Sequence, residues 1–340
     1  MSPAVSLCQG YSETYIVYCR DALDIYDVIE DIRGSTSPSH QYKNWSSIPL
    51  IVQFGDAFAR SRTVPVISKY RKRILVNESI SRFSSEATTC NDPYLKVDSR
   101  PPIMAWTWDS YYWDAKPIYQ PIVWKLESSR HFGNNFRESR YQDIPWEKKK
   151  LGAVWIGDMT GGPEASLITP DMSSQQICYW NPRCNFVYQH RNSSLVHARL
   201  SSTLWHNVTK ENLPEVCCDR MSRKDILEYK ILISLEGNDV SSGLKWMLFS
   251  NSVVMMKPAT LTSWAMEELL VPWLHYLPLN EDGSNAEEMV KWVGENDRKA
   301  QRIAERGTLF MYDLVYHPDA EKDDFDIKKE ILRRYSNFWH

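Results

Sequence analysis

Three short stretches of this 340-residue chain carry residues suited to chemistry at strand ends. Gly157-Asp158-Met159-Thr160-Gly161 follows the apolar run Leu151–Ile156. Its glycines let backbone N–H groups approach a phosphate closely. An ordinary tight turn has the same composition, and the loop is neither a Walker loop nor a G-x-G-x-x-G fingerprint. Glu236-Gly-Asn-Asp-Val-Ser-Ser-Gly-Leu-Lys245 follows the apolar run Tyr229–Leu235 and leads into a helix-compatible segment. The N–H groups of Ser241, Ser242 and Gly243 would face a diphosphate at a helix start, where the macrodipole favours anions. Glu236 or Asp239 would then take ribose hydroxyls, with Asn238 between them. Alternatively, Ser242 simply caps the helix. Asp56 ends the compact run Pro49–Phe54 just after Gly55. A carboxylate there can act as a general base on a cleft wall, or it can bond its own turn.

The chain holds 14 Trp and 18 Tyr. Such rings stack on sugars and nucleobases, and they also fill cores. Trp106-Thr-Trp-Asp-Ser-Tyr-Tyr-Trp113 concentrates them in one belt.

The elements that must position these groups read as α/β. Pro49–Phe54, Val64–Ser68 and Pro121–Trp124 are short strand candidates in the first half. Residues 74–100 are polar and without period. After the polar stretch Arg130–Lys150, strand candidates Leu151–Ile156, Tyr229–Leu235 and Ser252–Met256 alternate with helical segments, the pattern of a parallel sheet covered on both faces. Ser242–Leu248 can start a helix. Ser284 and Glu287 have capping-box spacing, Asn296-Asp297 can cap a helix running through Arg306, and Ile327, Ile331, Leu332 and Tyr335 share one helical face.

Hydrophobic residues make up 43% and charged residues 24%, enough apolar content for a full core. The net charge of −3 lacks the basic excess of a nucleic-acid binder. No apolar run approaches the ~18 residues of a membrane helix, and the N-terminus does not read as a secretory signal. Seven cysteines, an odd number, favour reduced thiols in the cytoplasm. On that reading the Asn-x-Ser/Thr triplets at Asn44, Asn77, Asn192 and Asn207 arise by chance.

The stretch Tyr229-Lys-Ile-Leu-Ile-Ser-Leu-Glu-Gly-Asn-Asp-Val-Ser-Ser-Gly-Leu-Lys-Trp-Met-Leu-Phe-Ser-Asn-Ser-Val-Val254 closely resembles the CAP10-like glycosyltransferases, glycosyltransferase family 90. That family includes protein O-glucosyltransferases and capsule xylosyltransferases. The likeness continues through Ser263-Trp-Ala-Met-Glu-Glu-Leu-Leu-Val-Pro-Trp-Leu-His-Tyr-Leu-Pro278, Glu295-Asn-Asp297 and Ile303-Ala-Glu-Arg-Gly307. It spans about residues 145–315, with islands at Ile51–Asp56, Val64–Ile67 and Val123–Glu127 with Arg130-His-Phe132.

The resemblance implies a GT-B fold, two facing Rossmann-like domains with a cleft between them. Residues 1–147 would form the acceptor side and 148–315 the nucleotide-sugar domain, with 316–340 a helix packing back on the first. It implies an inverting transfer of xylose or glucose from a UDP-sugar to a glycan or protein hydroxyl. No metal and no cofactor beyond the donor are expected, nor a nucleic-acid or membrane partner. Asp56 matches the family's catalytic aspartate. Gly157–Gly161 and Glu236–Lys245 match its nucleotide and diphosphate loops. Glu268 is a candidate for donor hydroxyls. Trp106, Trp108, Asp109, Trp113 and His131 are candidates for the acceptor side, with Asp98, Asp109 and Asp114 as rival bases.

This chain departs from the family at two points. The glucosyltransferase branch carries arginine where Gly243 stands, and many members carry it where Ile156 stands. Lys245 and the Lys69–Arg73 cluster are the substitutes on hand. A protein that keeps the fold and binds carbohydrate without catalysis is the alternative. Asp324-Phe-Asp326 spells a metal-binding Asp-x-Asp but reads as the charged first turn of the last helix. Cys178, Cys184, His190 and His197 lack zinc spacing. Cys217-Cys218 read as core thiols, and His275 as a packed histidine.

Overall fold

The computed structural model describes residue 25 and residues 52–53, 66–72, 122–125, 134–162, 168–169, 171–202, 208, 211–217 and 220–337. In chain order the strands are β1 (Val52–Gln53), β2 (Ile67–Ser68), β3 (Tyr70–Lys72), β4 (Ile122–Val123), β5 (Lys150–Asp158), β6 (Val196–Ser202), β7 (Tyr229–Ser234), β8 (Val253–Met256), β9 (Leu261–Ser263) and β10 (Leu277–Pro278). The helices are α1 (Asn134–Gln142), α2 (Ser174–Trp180), α3 (Pro182–His190), α4 (Arg223–Ile226), α5 (Leu244–Leu248), α6 (Ala286–Glu295), α7 (Asp297–Tyr316) and α8 (Ala320–Asn337). The protein is an α/β chain with parallel sheets.

Two compact units divide it. The first takes Met1–Leu126, Thr260–Trp264 and Glu321–His340; the second takes Glu127–Ala259 and Ala265–Ala320. Within the first, β1, β2 and β4 pair in parallel, and β3 pairs antiparallel with β9. Leu332 and Tyr335 of α8 are buried with Ile25, Val52, Ile67 and Trp124. Ile327, expected on that face, is 60% exposed. Asp324 and Asp326 lie beyond the first turn of α8, because the helix starts at Ala320 rather than at the acidic run. Asp324 pairs with Lys328 at 3.1 Å and Asp326 with Lys322 at 2.9 Å.

The second unit is built on a five-stranded parallel sheet of order β10-β8-β7-β5-β6. Strands β5, β7 and β8 carry near-continuous apolar runs because both faces are covered, whereas the edge strand β6 alternates buried and half-buried residues. Ala153, Trp155, Ile231, Ile233, Val253 and Met255 face Ile177, Phe186, Val187, Val290, Val293 and Ile303. Val154 and Leu232 face the other way, toward Leu227, Trp246 and Met247. Helix α1 joins by stacking Phe136 on Phe249, with ring centroids 4.5 Å apart.

Several expected helix boundaries shift. Helix α6 begins after Asn285, which makes no side-chain cap, and the Ser284 N–H donates to Asp282 instead, so the Ser284–Glu287 capping box does not form. Helix α7 runs ten residues past Arg306, held by buried Ala300, Ile303, Ala304, Gly307 and Met311. Helix α5 begins only at Leu244. Cys178 and Cys184 are joined in a disulfide, and Cys217 is also disulfide-bonded, which corrects the expectation of reduced thiols at all three. The total of seven cysteines concealed this, because pairing depends on geometry: the break between α2 and α3 brings these two Cα atoms within 4.9 Å.

Candidate functional site

Sheet order marks where a candidate site lies. From β5 the chain goes outward to β6, then crosses back to β7 on the other side of β5 and continues to β8 and β10. The direction of winding therefore reverses between β5 and β7. In open α/β sheets, ligands bind beyond the carboxyl ends of the strands at such a reversal. The loops leaving these two strand ends are 159–162 and 235–243, the stretches that the sequence singled out.

The two loops touch through their backbones. Gly161 has φ +76°, and a Cβ built on it would lie 2.7 Å from the Gly237 carbonyl oxygen. A Cβ on Gly237 would lie 2.5 Å from Thr160 Oγ1. Only glycine permits this approach. The Gly161 N–H donates to Asn238 Oδ1 at 2.9 Å, tying one loop to the other. A register shift between Gly157 and Asp158 re-aims the end of β5. Asp158 Oδ1 accepts from the Ser201 and Ser202 hydroxyls at 2.5 and 2.7 Å, which fixes β5 to β6. Met159 is fully buried, and its N–H donates to Ser202 O.

Arg183, a residue that sequence reasoning missed, joins the two loops from the first turn of α3. Nε donates to Glu236 O at 3.1 Å, Nη1 to Asp158 O at 3.0 Å and to Thr160 Oγ1 at 2.7 Å, and Nη2 to Leu235 O at 2.8 Å. Burial lowers its pKa, while the Asp158 and Asp239 carboxylates act to raise it; an arginine in such surroundings stays charged. The Asn181 side chain caps α3 by accepting from the Arg183 and Cys184 N–H groups, which sets the helix start. A signal was present in the sequence: a cation in a first helical turn opposes the macrodipole, so arginine directly after Asn181-Pro182 marks another task.

Beyond Asp239, the first N–H of the next turn that the described residues take up is that of Leu244, which donates to Ser241 O at 3.2 Å. Ser242 is exposed and is not the cap, since α5 starts from Gly243 without a side-chain cap. Lys245 is fully buried and its ammonium lies 2.6 Å from Glu267 Oε1, an ion pair outside hydrogen-bond angles. It is thus committed to a carboxylate rather than open to a diphosphate. The pair pins the short 3-10 turn Glu267–Leu269, and with it the half-buried Glu268, to α5. Met266, just before this turn, has φ 55°.

The structure thus gathers Gly157, Asp158, Met159, Thr160, Gly161, Glu236, Asn238, Asp239, Ser241, Ser242, Gly243, Lys245 and Glu268 in one unit. Asp56, Trp106, Trp108, Asp109, Trp113 and His131 lie outside the described residues. His275 Nδ1 accepts from the Val271 N–H at 3.0 Å, and His190 Nε2 lies 3.0 Å from Gly283 O. Among the described residues, no group of three or more His, Cys, Asp or Glu is placed to hold a metal ion, and no helix is long and apolar enough to cross a membrane.

Comparison with known proteins gives these loops a context. The chain is 28% identical over 206 residues to O-glucosyltransferase LpsA of Dichelobacter nodosus, covering 59% of this chain and 53% of that protein. It is 26% identical over 244 residues to human protein O-glucosyltransferase 1, covering 69% and 53%. With rat protein O-glucosyltransferase 3 it shares 32% over 230 residues, covering 66% and 41%. The chain thus matches about half the length of these relatives. The model of glycosyl transferase family 90 matches residues 94–339. The chain belongs to glycosyl transferase family 90.

Proposed function

We propose that the chain transfers a sugar, glucose before xylose, from a UDP-sugar to a hydroxyl of a glycan or protein, with inversion. One observation carries this reading: two glycine loops locked together at the carboxyl ends of β5 and β7, where the sheet reverses direction. In this reading the fold is GT-B, with the donor held by the second unit. The N–H groups around Ser241, Ser242 and Gly243 face the diphosphate. Glu236, Asp239 and Glu268 take hydroxyls of the ribose or the sugar. Asp56 accepts the acceptor's proton as the acceptor oxygen attacks the anomeric carbon, and the bond from that carbon to the diphosphate oxygen breaks. No metal is required, because backbone donors serve the leaving group. The names of the relatives favour glucose.

The disulfide belongs with this proposal. Such bonds persist in oxidising compartments, so we place the working chain there rather than in the cytoplasm. A carbohydrate-binding protein without catalysis is the second reading. The commitment of Lys245 to Glu267 favours it, since that lysine does not replace the arginine of relatives at Gly243.

A thermal-shift panel of UDP, GDP and CMP with their sugars tests the donor. UDP and UDP-glucose are expected to raise the melting temperature by mass action; no response to any uridine nucleotide removes the donor assignment. UDP release from UDP-glucose separates catalysis from mere binding. Asp56→Asn is expected to abolish transfer while leaving the UDP shift intact; near-normal turnover would remove Asp56 from the mechanism.

A further inference from the structure

The geometry points to Arg183 as the positioning residue that holds the two donor loops in register. The inference rests on the nucleotide-binding reading of those loops only for its kinetic consequence, not for the clamp itself.

A guanidinium offers five N–H donors in a rigid planar fork. Four hydrogen bonds run from Arg183 to two segments about 75 residues apart in sequence: Asp158 O and Thr160 Oγ1 on one side, Leu235 O and Glu236 O on the other. Its neighbour Asn181 reaches the first segment, donating from Nδ2 to Thr160 O at 3.4 Å. The direct loop-to-loop contact includes glycine backbone, the Thr160 side chain against Gly237 and the Asn238 hydrogen bond. Without the guanidinium, the part-buried carbonyls of Leu235 and Glu236 lose this donor together, each loss carrying a desolvation penalty, while the exposed Asp158 O keeps the Thr160 N–H. The loops would then separate to reach water.

Arg183 is not itself a diphosphate ligand in this scheme. Its donors are already directed at the protein, and Asp158 and Asp239 face its charge. It acts by fixing where the loop N–H groups point before the donor arrives, which lowers the ordering cost of binding. Lysine cannot substitute: a single ammonium on a flexible stem cannot span both segments with fork geometry. The anchorage is local and rigid, with the Asn181 cap on one side and the disulfide at Cys184 on the other.

The test uses the full chain with Arg183→Gln and Arg183→Lys. Hydrogen exchange is first measured without nucleotide. In R183Q, exchange is expected to rise about tenfold or more at residues 158–161 and 235–239, with the amides of β8 and α6 unchanged, as a local opening requires. R183K is expected to fall between wild type and R183Q. Unchanged exchange at both loops overturns the inference. So does a uniform rise across the sheet, which would mean only a general loss of stability.

Steady-state kinetics with UDP-glucose follow. The donor KM is expected to rise about 10- to 100-fold, with kcat for the bound donor much less affected, as misplacement of binding groups produces. A fall in kcat at unchanged KM overturns the positioning role. If wild type binds no uridine nucleotide, the donor reading fails, and the exchange comparison still decides the clamp.

Discussion

Gly161 and Gly237 meet with no side chain between them, 2.7 Å separating the Gly237 carbonyl oxygen from the place a Cβ on Gly161 would take. Gly161→Ala adds that clash to a left-handed φ of +76°. It is expected to lose about 1–3 kcal/mol of stability and to weaken UDP binding. Gly237→Ala meets Thr160 Oγ1 at 2.5 Å and Arg183 Nη2 at 2.8 Å, so it presses on the clamp without backbone strain. Adding Thr160→Ala to Gly237→Ala should recover part of the loss. Urea unfolding of both single variants and the double variant measures the coupling; strict additivity would contradict the contact.

Lys245 and Glu267 form a buried pair, with side chains only 1% and 2% exposed. Removing one partner strands the other charge. Lys245→Met or Glu267→Leu alone is expected to cost about 3–5 kcal/mol, whereas the double replacement is expected to be close to neutral. The double variant also tests the diphosphate role assigned to Lys245 from sequence. Retained UDP affinity in a folded Lys245→Met/Glu267→Leu protein confirms that the lysine serves packing; a large loss restores it to the donor site. Isothermal titration with UDP supplies the reading.

The strands were legible because burial on both faces writes a continuous apolar run: β5, β7 and β8 lie where Leu151–Ile156, Tyr229–Leu235 and Ser252–Met256 predict them. The loops were legible because they follow those runs. What the spacing could not carry was long-range. Arg183 bonds carbonyl oxygens, which every residue has, so no motif records its partners. Lys245 looked like an anion ligand because its carboxylate partner is 22 residues away in a different turn. Local cap signals also failed where tertiary packing set the boundary. Ser284 and Glu287 have the right spacing, yet buried Ala286, Met289 and Val290 fix the start of α6 instead. The same holds at α7, whose buried stripe runs to Met311, past the expected end.

His275 gives the second unit an acid-sensitive contact. Burial, and then the nearby Arg306 charge, lower its pKa, so the folded state favours neutral imidazole. Its Nδ1 accepts the Val271 N–H, which protonation would abolish. The folded pKa lies below the unfolded value of about 6.5, so the unfolded chain takes the proton first on acidification. The stabilisation is therefore present above about pH 6.5 and declines as pH falls toward the lowered folded value. His275→Asn keeps an acceptor near the Nδ1 position but does not titrate. The difference in melting temperature between wild type and this variant is expected to shrink between pH 7.5 and about pH 5.5. A difference that stays constant over that interval would contradict the assignment.

The Cys178–Cys184 bond closes the corner between α2 and α3, one residue from Arg183. Both cysteines are buried, so Cys178→Ala with Cys184→Ala fits the core without a new polar group. The crosslinked segment is short, so chain entropy alone predicts a loss of only about 2 kcal/mol. The consequence for binding should be larger than that for folding. A looser start to α3 lets the guanidinium wander from the carbonyls of Asp158, Leu235 and Glu236, and the loops lose their register. The alanine pair is therefore expected to raise the donor KM several-fold while a clear unfolding transition persists, and combined with Arg183→Gln it should reach about the KM of Arg183→Gln alone rather than the product of the two effects, because the two changes act on one clamp. A peptide map under non-reducing conditions checks the bond first, in protein made in an oxidising host. Free thiols at both positions in that material would remove the brace and, with it, the argument for an oxidising compartment.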